Sequence, residues 1–522
     1  MYMVPNQIVP SVGRSGTVEV KLCNIVNTMK GDVLDIRNII RKITICNSLD
    51  VMTTSGWIEV LDQGNAIEEY SMNGKELIDL HIIVNKDASS SDANEYKRRF
   101  LVYGIENIAA MKDQMSYKIL FIDPFALMNT DTRISWHFKN VKGEDIIKKI
   151  GDIASNEVNK PYSEAMKTPY GGNGGVKSNQ NLFDFTADVS TQHELDIYVP
   201  MMKPFELIRY LADRVVSSGN QSDGGDNNCS WSDCLFYQDK NGKFHLNSFK
   251  NIFKNGDPIT LSQQIADNVT QEKQHIIESY SFNKIYNIQV DKLNGIYGVH
   301  YAIADFKPST KIATEQTVLG TSITSSSGID QKNNSLSLRN TIARYFDNKL
   351  GPFSLSDDGS RGTNEKAGFV CPWQCAQRNP PLQSMQLANV PGQQKQVNYE
   401  NQAGALIFLD SCGIIHEDDN TYDEYKRVTL PYVNGCIMKK VLSSYVINVV
   451  MNGAFDIDVG KSFVIKLDKN EGPKQMAVFV GDVIWAVSDV KHEWRADTME
   501  MKTYVTGFSP FLRRGEVFTN KK

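Results

Sequence analysis

The sequence predicts a mainly β protein with a minority of helices, of the α+β class, and three observations carry the prediction. Alternating apolar and polar residues fill both ends of the chain. Two amphipathic helical stretches stand between them. Short matching markers recur near the two ends at equal spacing.

At the N-terminal end the strand-like runs are GWIEVLD (56–62), ELIDLHIIV (76–84), RFLVYGI (99–105) and SYKILFID (116–123). At the C-terminal end they are SSYVINVVM (443–451), QMAVFVGDVIWAV (475–487) and EMKTYVTGF (500–508). Gly, Asn and Asp punctuate them, as antiparallel turns require. NGAFDIDVGKSFVIKL (452–467) belongs to the same set. Phe455, Ile457 and Val459 alternate with Asp456 and Asp458, and Phe463, Ile465 and Leu467 resume the period after Gly460. The pattern predicts two short strands around a tight Gly460 turn, with both aspartates facing water. A calcium loop would need a glutamate at its twelfth position, and Leu467 stands there counting from Asp456.

In KGEDIIKKIGDIASNE (142–157), Ile146, Ile147, Ile150, Ile153 and Ala154 share one helical face, and the acids near the start suit the helix dipole. In KPFELIRYLADRVVSS (203–218), Phe205, Ile208, Leu211, Ala212 and Val215 do the same, with Pro204 at the first helical position. Stretches 168–181, 217–233, 308–337 and about 352–404 lack periodicity and read as loops.

The repeat rests on GKELIDL from Gly74 and GKSFVIKL from Gly460, with FIDPF (121–125) and GFSPF (507–511) as second markers. Gly74 and Pro124 stand fifty residues apart, as do Gly460 and Pro510. The spacing predicts two similar small β-domains, one near each end. Two such units per chain would let three chains build a ring of six.

The chain has 522 residues, enough for two to four domains, with 41% hydrophobic and 22% charged residues. A net charge of -5 gives no basic excess for tight nucleic-acid binding. The first residues lack a signal-peptide pattern and no apolar run approaches membrane-spanning length, so folding in a cytoplasm without a membrane anchor is expected. The cysteine pairs in CSWSDC (Cys229, Cys234) and CPWQC (Cys371, Cys375) lack the usual zinc-knuckle spacing; free thiols are the simpler reading, and four metal ligands the alternative.

No catalytic signature emerges, and no cofactor or metal is expected. GGNGGVKS (171–178) has Val176 where a phosphate loop needs glycine before Lys177. QHEL (192–195) and KHEW (491–494) lack the second histidine of a zincin. His492 reads as a strand-end or turn residue.

Several stretches in one order resemble the baseplate hub proteins of contractile-tailed bacteriophages, the group of the T-even hub. They are SYKILFID, RISWHFKNVKGEDIIKKIGDI, PFELIRYLADRV, IIESYSFNKIYNIQVDKLNGIYGVHYAIADFKPSTKI (276–312) and INVVMNGAFDIDVGKSFVIKL with WAVSDVKHEWRADTMEMKTYVTGFS. The signature positions are Gly295 and Asp305 in the long central stretch, and Gly453, Gly460 and His492 near the C-terminus. The resemblance covers most of 35–312 and 425–512, and 313–424 departs from it. It also reaches the first part of the VgrG spike of type VI secretion.

The resemblance implies two antiparallel, β-barrel-like tube domains and a central mixed domain. Boundaries follow as 1–125 for the first tube domain, 126–275 for a mixed connecting domain, 276–312 for strands of either, 313–424 for a loop-rich insertion, 425–512 for the second tube domain and 513–522 for a tail. It implies a homotrimer whose pseudo-sixfold ring joins a sixfold tail tube above to a threefold spike below. Baseplate wedge components would be further partners. DNA would pass at ejection without specific binding, with Asp456 and Asp458 as candidate lumen acids. The implied location is the tail baseplate of a virion assembled in the host cytoplasm. The chain ends ten residues after FSPFL, so a separate spike protein is expected. Two other readings stay open. One is a tail-associated cell-wall hydrolase carried by 313–424. The other is a receptor- or glycan-binding tail protein using loop tryptophans Trp231 and Trp373.

Overall fold

A computed structural model of the chain describes most of residues 18–158, 182–218, 231–263, 275–284 and 432–509, with short strands at 299–304, 313–318, 321–323, 369–370, 405–410 and 512–513. Strands dominate, as the sequence predicts. The first seven are β1 (Val18–Val26), β2 (Val33–Asp35), β3 (Ile40–Ser48), β4 (Ser55–Asp62), β5 (Leu77–Val84), β6 (Glu95–Met111) and β7 (Gln114–Ile122). They pair antiparallel in the order β2-β1-β5-β6-β7-β4-β3. Burial in β4 alternates residue by residue, so one face of the curved sheet feeds a core that includes Ile58, Leu80, Phe100 and Phe121.

A mixed layer follows. It contains α1 (Pro124–Asp131), β8 (Ile134–Lys142), α2 (Gly143–Asp152), β9 (Phe185–Ala187), β10 (Glu194–Met202), α3 (Pro204–Ala212), β11 (Cys234–Gln238), β12 (Phe244–Ser248) and α4 (Phe249–Lys254). The predicted helical faces are the buried ones: Ile146, Ile147 and Ile150 of α2 meet Leu207, Ile208 and Leu211 of α3 in one core. The α2 periodicity runs on into a π-helical turn, Ile153–Val158. Asp123 starts α1 by accepting the Phe125 N–H at 2.9 Å, with Pro124 where a missing N–H costs nothing.

The remaining strands are β13 (Ile259–Gln263), β14 (Ile276–Lys284), β15 (Val299–Ala304), β16 (Ala313–Val318), β17 (Thr321–Ile323), β18 (Phe369–Val370), β19 (Ala405–Asp410), β20 (Tyr445–Asn452), β21 (Ser462–Lys466), β22 (Ile484–Arg495), β23 (Glu500–Ser509) and β24 (Leu512–Arg513). β15, β16, β17 and β19 make a separate four-stranded sheet, so part of the stretch read as loop-rich is strand. β13, β21, β22, β23, β20 and β14 close into a six-stranded barrel, because β14 returns to β13 through Ser262↔Ile276 and Gln263↔Ile277.

The two halves share one strand order: β1, β5, β6, β7, β4 and β3 take the places of β13, β21, β22, β23, β20 and β14. They also share a register slip. The β3–β4 ladder shifts between Ile40 and Lys42, and the β14–β20 ladder shifts at the matching place, between Ile277 and Ser279. Two differences stand out. β1 runs antiparallel to β5 whereas β13 runs parallel to β21, and no β1–β3 pairing closes the first barrel among the described residues.

Gly74 and Gly460 lie just before β5 and β21 with φ of +83° and +76°. A Cβ at Gly74 meets nothing within 4 Å, whereas one at Gly460 would fall 2.2 Å from the Tyr237 ring. Gly74→Ala is expected to cost about 1 kcal/mol of backbone strain alone. Gly460→Ala adds the clash and is expected to cost at least ~1 kcal/mol more. Denaturant midpoints of the two variants check the order.

Candidate functional site at the barrel junction

The first unit, an open barrel among the described residues, and the closed second barrel are fused along a shared seam. β22 pairs with β21 only at Ile484, Trp485 and Ala486, then runs on against β3 of the first barrel from Asp489↔Ser48 to Arg495↔Lys42. From Ala486 to Arg495 its other edge holds β23. One strand therefore belongs to both units. Glu493 at the seam meets Lys42 at 3.2 Å, Lys491 at 3.1 Å and Arg495 at 2.8 Å. Burial alone would raise its pKa, but these three cations outweigh it and hold the carboxyl at about 2.

The segment 453–460 straps the seam, and here the structure corrects the sequence reading. Residues 453–460 form no strand, and β21 begins only at Ser462. Their alternation serves two cores instead of two faces. Phe455 is fully buried in the first barrel's core, stacked on Tyr96 at 5.1 Å, while Ile457 and Val459 enter the second barrel's core. Deleting a ring buried this way costs about 3–5 kcal/mol. Trp494 and Met501, from β22 and β23, also enter the first core.

Of the two aspartates, Asp458 does not face water. Asp458 is 4% exposed. Its Oδ1 accepts from Asn47 Nδ2 at 3.0 Å and the Val459 N–H at 2.8 Å, and its Oδ2 from the Lys240 N–H at 2.5 Å. Burial pushes its pKa up to about 6 despite these donors. Asp456 is half-buried and bonded to His275 at 2.8 Å. Burial raises its pKa, but the His275 contact outweighs that and the net direction is down. Asp458 is thus a junction residue, its oxygens taken by donors from Asn47, Val459 and Lys240.

Next to Asp458 lies a buried polar node that joins three parts of the chain. Arg98 of β6 is 1% exposed; its guanidinium donates to Thr54 Oγ1 at 2.7 Å and Asp123 Oδ2 at 2.6 Å. Gln238 of β11 donates to Asp123 Oδ2 at 2.8 Å and accepts the Thr54 N–H at 2.9 Å. Asn47 of β3 donates to the Gln238 carbonyl at 2.8 Å as well as to Asp458. First barrel, mixed layer and second barrel therefore meet in one hydrogen-bonded chain. Burial raises the Asp123 pKa, opposed by Arg98. Such networks are costly to break, since each freed buried group loses its partner.

His492 is neither strand-end nor turn: it sits inside β22, 6% exposed, with Nδ1 3.1 Å from Thr503 Oγ1 and its ring 4.8 Å from Phe455. Burial, then Lys240, drives its pKa down to about 3, so it stays neutral at neutral pH. Gly453 packs against Met501 and Pro124 opens α1. Gly295, Asp305, Pro510, Trp373, Cys229, Cys371 and Cys375 lie outside the described residues. Trp231 is fully buried on Phe249, so it presents no ring to a glycan. Cys234 is a buried free thiol, and among the described residues no cluster of three His, Cys, Asp or Glu side chains is placed to hold a metal ion. Sequence reasoning missed β1 and β3, although VEVKLCNIV and IRKITICNS carry strand composition, and it missed Arg98 and Gln238 because a buried network has no local motif.

No family model and no curated protein matches the chain. Among solved structures it is similar to the 43 kDa tail protein of prophage MuSo2 from Shewanella oneidensis, at 9% identity and TM-score 0.44, covering 94% of this chain and 98% of that one. It is similar to the tail protein of Neisseria meningitidis MC58 at 7% identity and TM-score 0.44, covering 94% and 96%. It is also similar to a Francisella PdpA–VgrG complex at 9% identity and TM-score 0.41, covering 95% of this chain and 58% of that one.

The sign of the Asp458 shift gives a pH test. Its folded pKa of about 6 exceeds the ordinary 3.8, so between those values the folded chain binds the extra proton and stability falls as pH rises. Asp458→Asn removes that titration. Wild-type stability relative to the variant should decline from pH 4 to pH 7 by up to about 3 kcal/mol. Urea midpoints at four pH values check this; a flat or rising difference contradicts it.

Proposed function

We propose that the chain is a structural baseplate hub protein of a phage tail, without enzymatic activity of its own. In this reading three chains form a pseudo-sixfold ring that joins a sixfold tail tube to a threefold spike and passes DNA at ejection. The observation that carries it is the pair of six-strand units with one strand order, fused through β22 and β3. A chain holding two equivalent units is what a threefold assembly needs to present six similar faces to a sixfold partner. The shared seam supports the reading further, because a ring carrying load needs its two units held in fixed relation.

The hub resemblance of the sequence supports the same role, with a spike protein, tail tube protein and baseplate wedge components as partners and the virion tail as location. The division of the chain at about residues 125, 275, 312, 424 and 512 is part of this proposal. The glycan-binding alternative loses one of its two anchors in the burial of Trp231.

Mass in solution tests the assembly. Light scattering on the purified chain is expected to give three times 58.7 kDa. A stable dimer would contradict a threefold ring.

A further inference from the structure

We propose that the ring closes by strand addition: the outer edge of β6, Gly104 to Met111, takes the free edge of β14 from a second copy of the chain, antiparallel. This rests on the hub reading and deepens it by naming the contact.

The two units match strand by strand. β22 is the counterpart of β6. It extends beyond its short partner β21, and the extension is covered by β3 of the first barrel. β6 likewise extends beyond β5, whose last pairing is Leu77↔Leu101. Among the described residues nothing pairs with the outer edge of that extension, although β7 holds its inner edge to Met111.

The counterpart of β3 is β14. β3 uses its outer edge to hold β22, whereas β14 touches β13 only at Ile276 and Ile277, and its outer edge from Glu278 to Asn283 has no strand partner among the described residues. Among the described residues the chain thus carries one mated pair of edges inside and the equivalent two edges unmated. Edges of this kind, displaced by one unit, join head to tail and close into a ring.

The surface of the β6 extension agrees. GIENIAAM (104–111) has one charged residue, Glu106, so the edge lacks the lysines that blunt a solvent-facing strand. Ile108 is 59% exposed and Tyr103, just before it, 48%.

The repeat fixes the register. Arg495↔Glu500 and Met111↔Gln114 set Arg495 over Met111, and so Glu493 over Ala109. Ile43↔Ile58 and Tyr280↔Val449 set Ile43 over Tyr280, and so Thr44 over Ser281. Thr44 faces Glu493 across the internal seam. Between copies, Ser281 should therefore face Ala109, and Tyr280 should face Ala110.

Ala109 and Ser281 are exposed, so cysteines there leave the fold intact. Facing residues of an antiparallel pair lie about 4.5–5.5 Å apart at Cα, within disulfide reach. Under mild oxidation the Ala109→Cys/Ser281→Cys chain is expected to form covalent dimers and trimers on a non-reducing gel, at least tenfold more than either single variant. Tyr103→Cys/Ser281→Cys, displaced about 20 Å along β6, is expected to stay at the single-variant level. Mass is measured on the same samples. A trimer by mass without the cross-link, or with equal linking of the displaced pair, overturns the strand addition and leaves the hub reading standing. A monomer or dimer by mass overturns both.

Discussion

The structure depends on one buried contact chain. Arg98, Asp123, Thr54, Gln238, Asn47 and Asp458 link β6, β3, β11 and the 453–460 strap by hydrogen bonds of 2.6–3.0 Å. Apolar contact alone would let two barrels slide, because it is non-directional. Buried hydrogen bonds fix distance and angle, and losing one partner strands the other without water. The node therefore sets where the mixed layer sits and how the second barrel is turned against the first.

Around the node, packing is shared and not partitioned. Phe455 leaves its own barrel to fill its neighbour, and Trp494 and Met501 follow it. β22 serves both sheets in turn, and Glu493 gathers Lys42 from across the seam. Packing shared in this way couples the two units to each other, as the proposed connector role requires. The same logic accounts for the neutral, buried His492: it fills space beside Phe455 and Thr503 and carries no charge into the junction.

Much of this was legible in the sequence. Period-two patterns marked β4, β7, β20 and most of β23 because each has one buried face, and period 3.6 marked α2 and α3 for the same reason. Gly74 and Gly460 pointed to paired turns because only glycine takes positive φ without strain. The strap was misread: its apolar residues enter two different cores instead of lining one face of a strand. Asp458 looked solvated because an aspartate between apolar residues ordinarily is, and its partners Asn47 and Lys240 are hundreds of residues away in sequence. The register slip shared by β3 and β14 was invisible, since a bulge leaves no residue signature of its own.

In the proposed hub, two equivalent units per chain make a threefold assembly look sixfold. End-on electron micrographs of the purified protein test it most directly. The expected image is a threefold ring whose rotational power spectrum has a strong sixfold harmonic, with six lobes of similar size. A ring of three lobes, or a twofold particle, would contradict it.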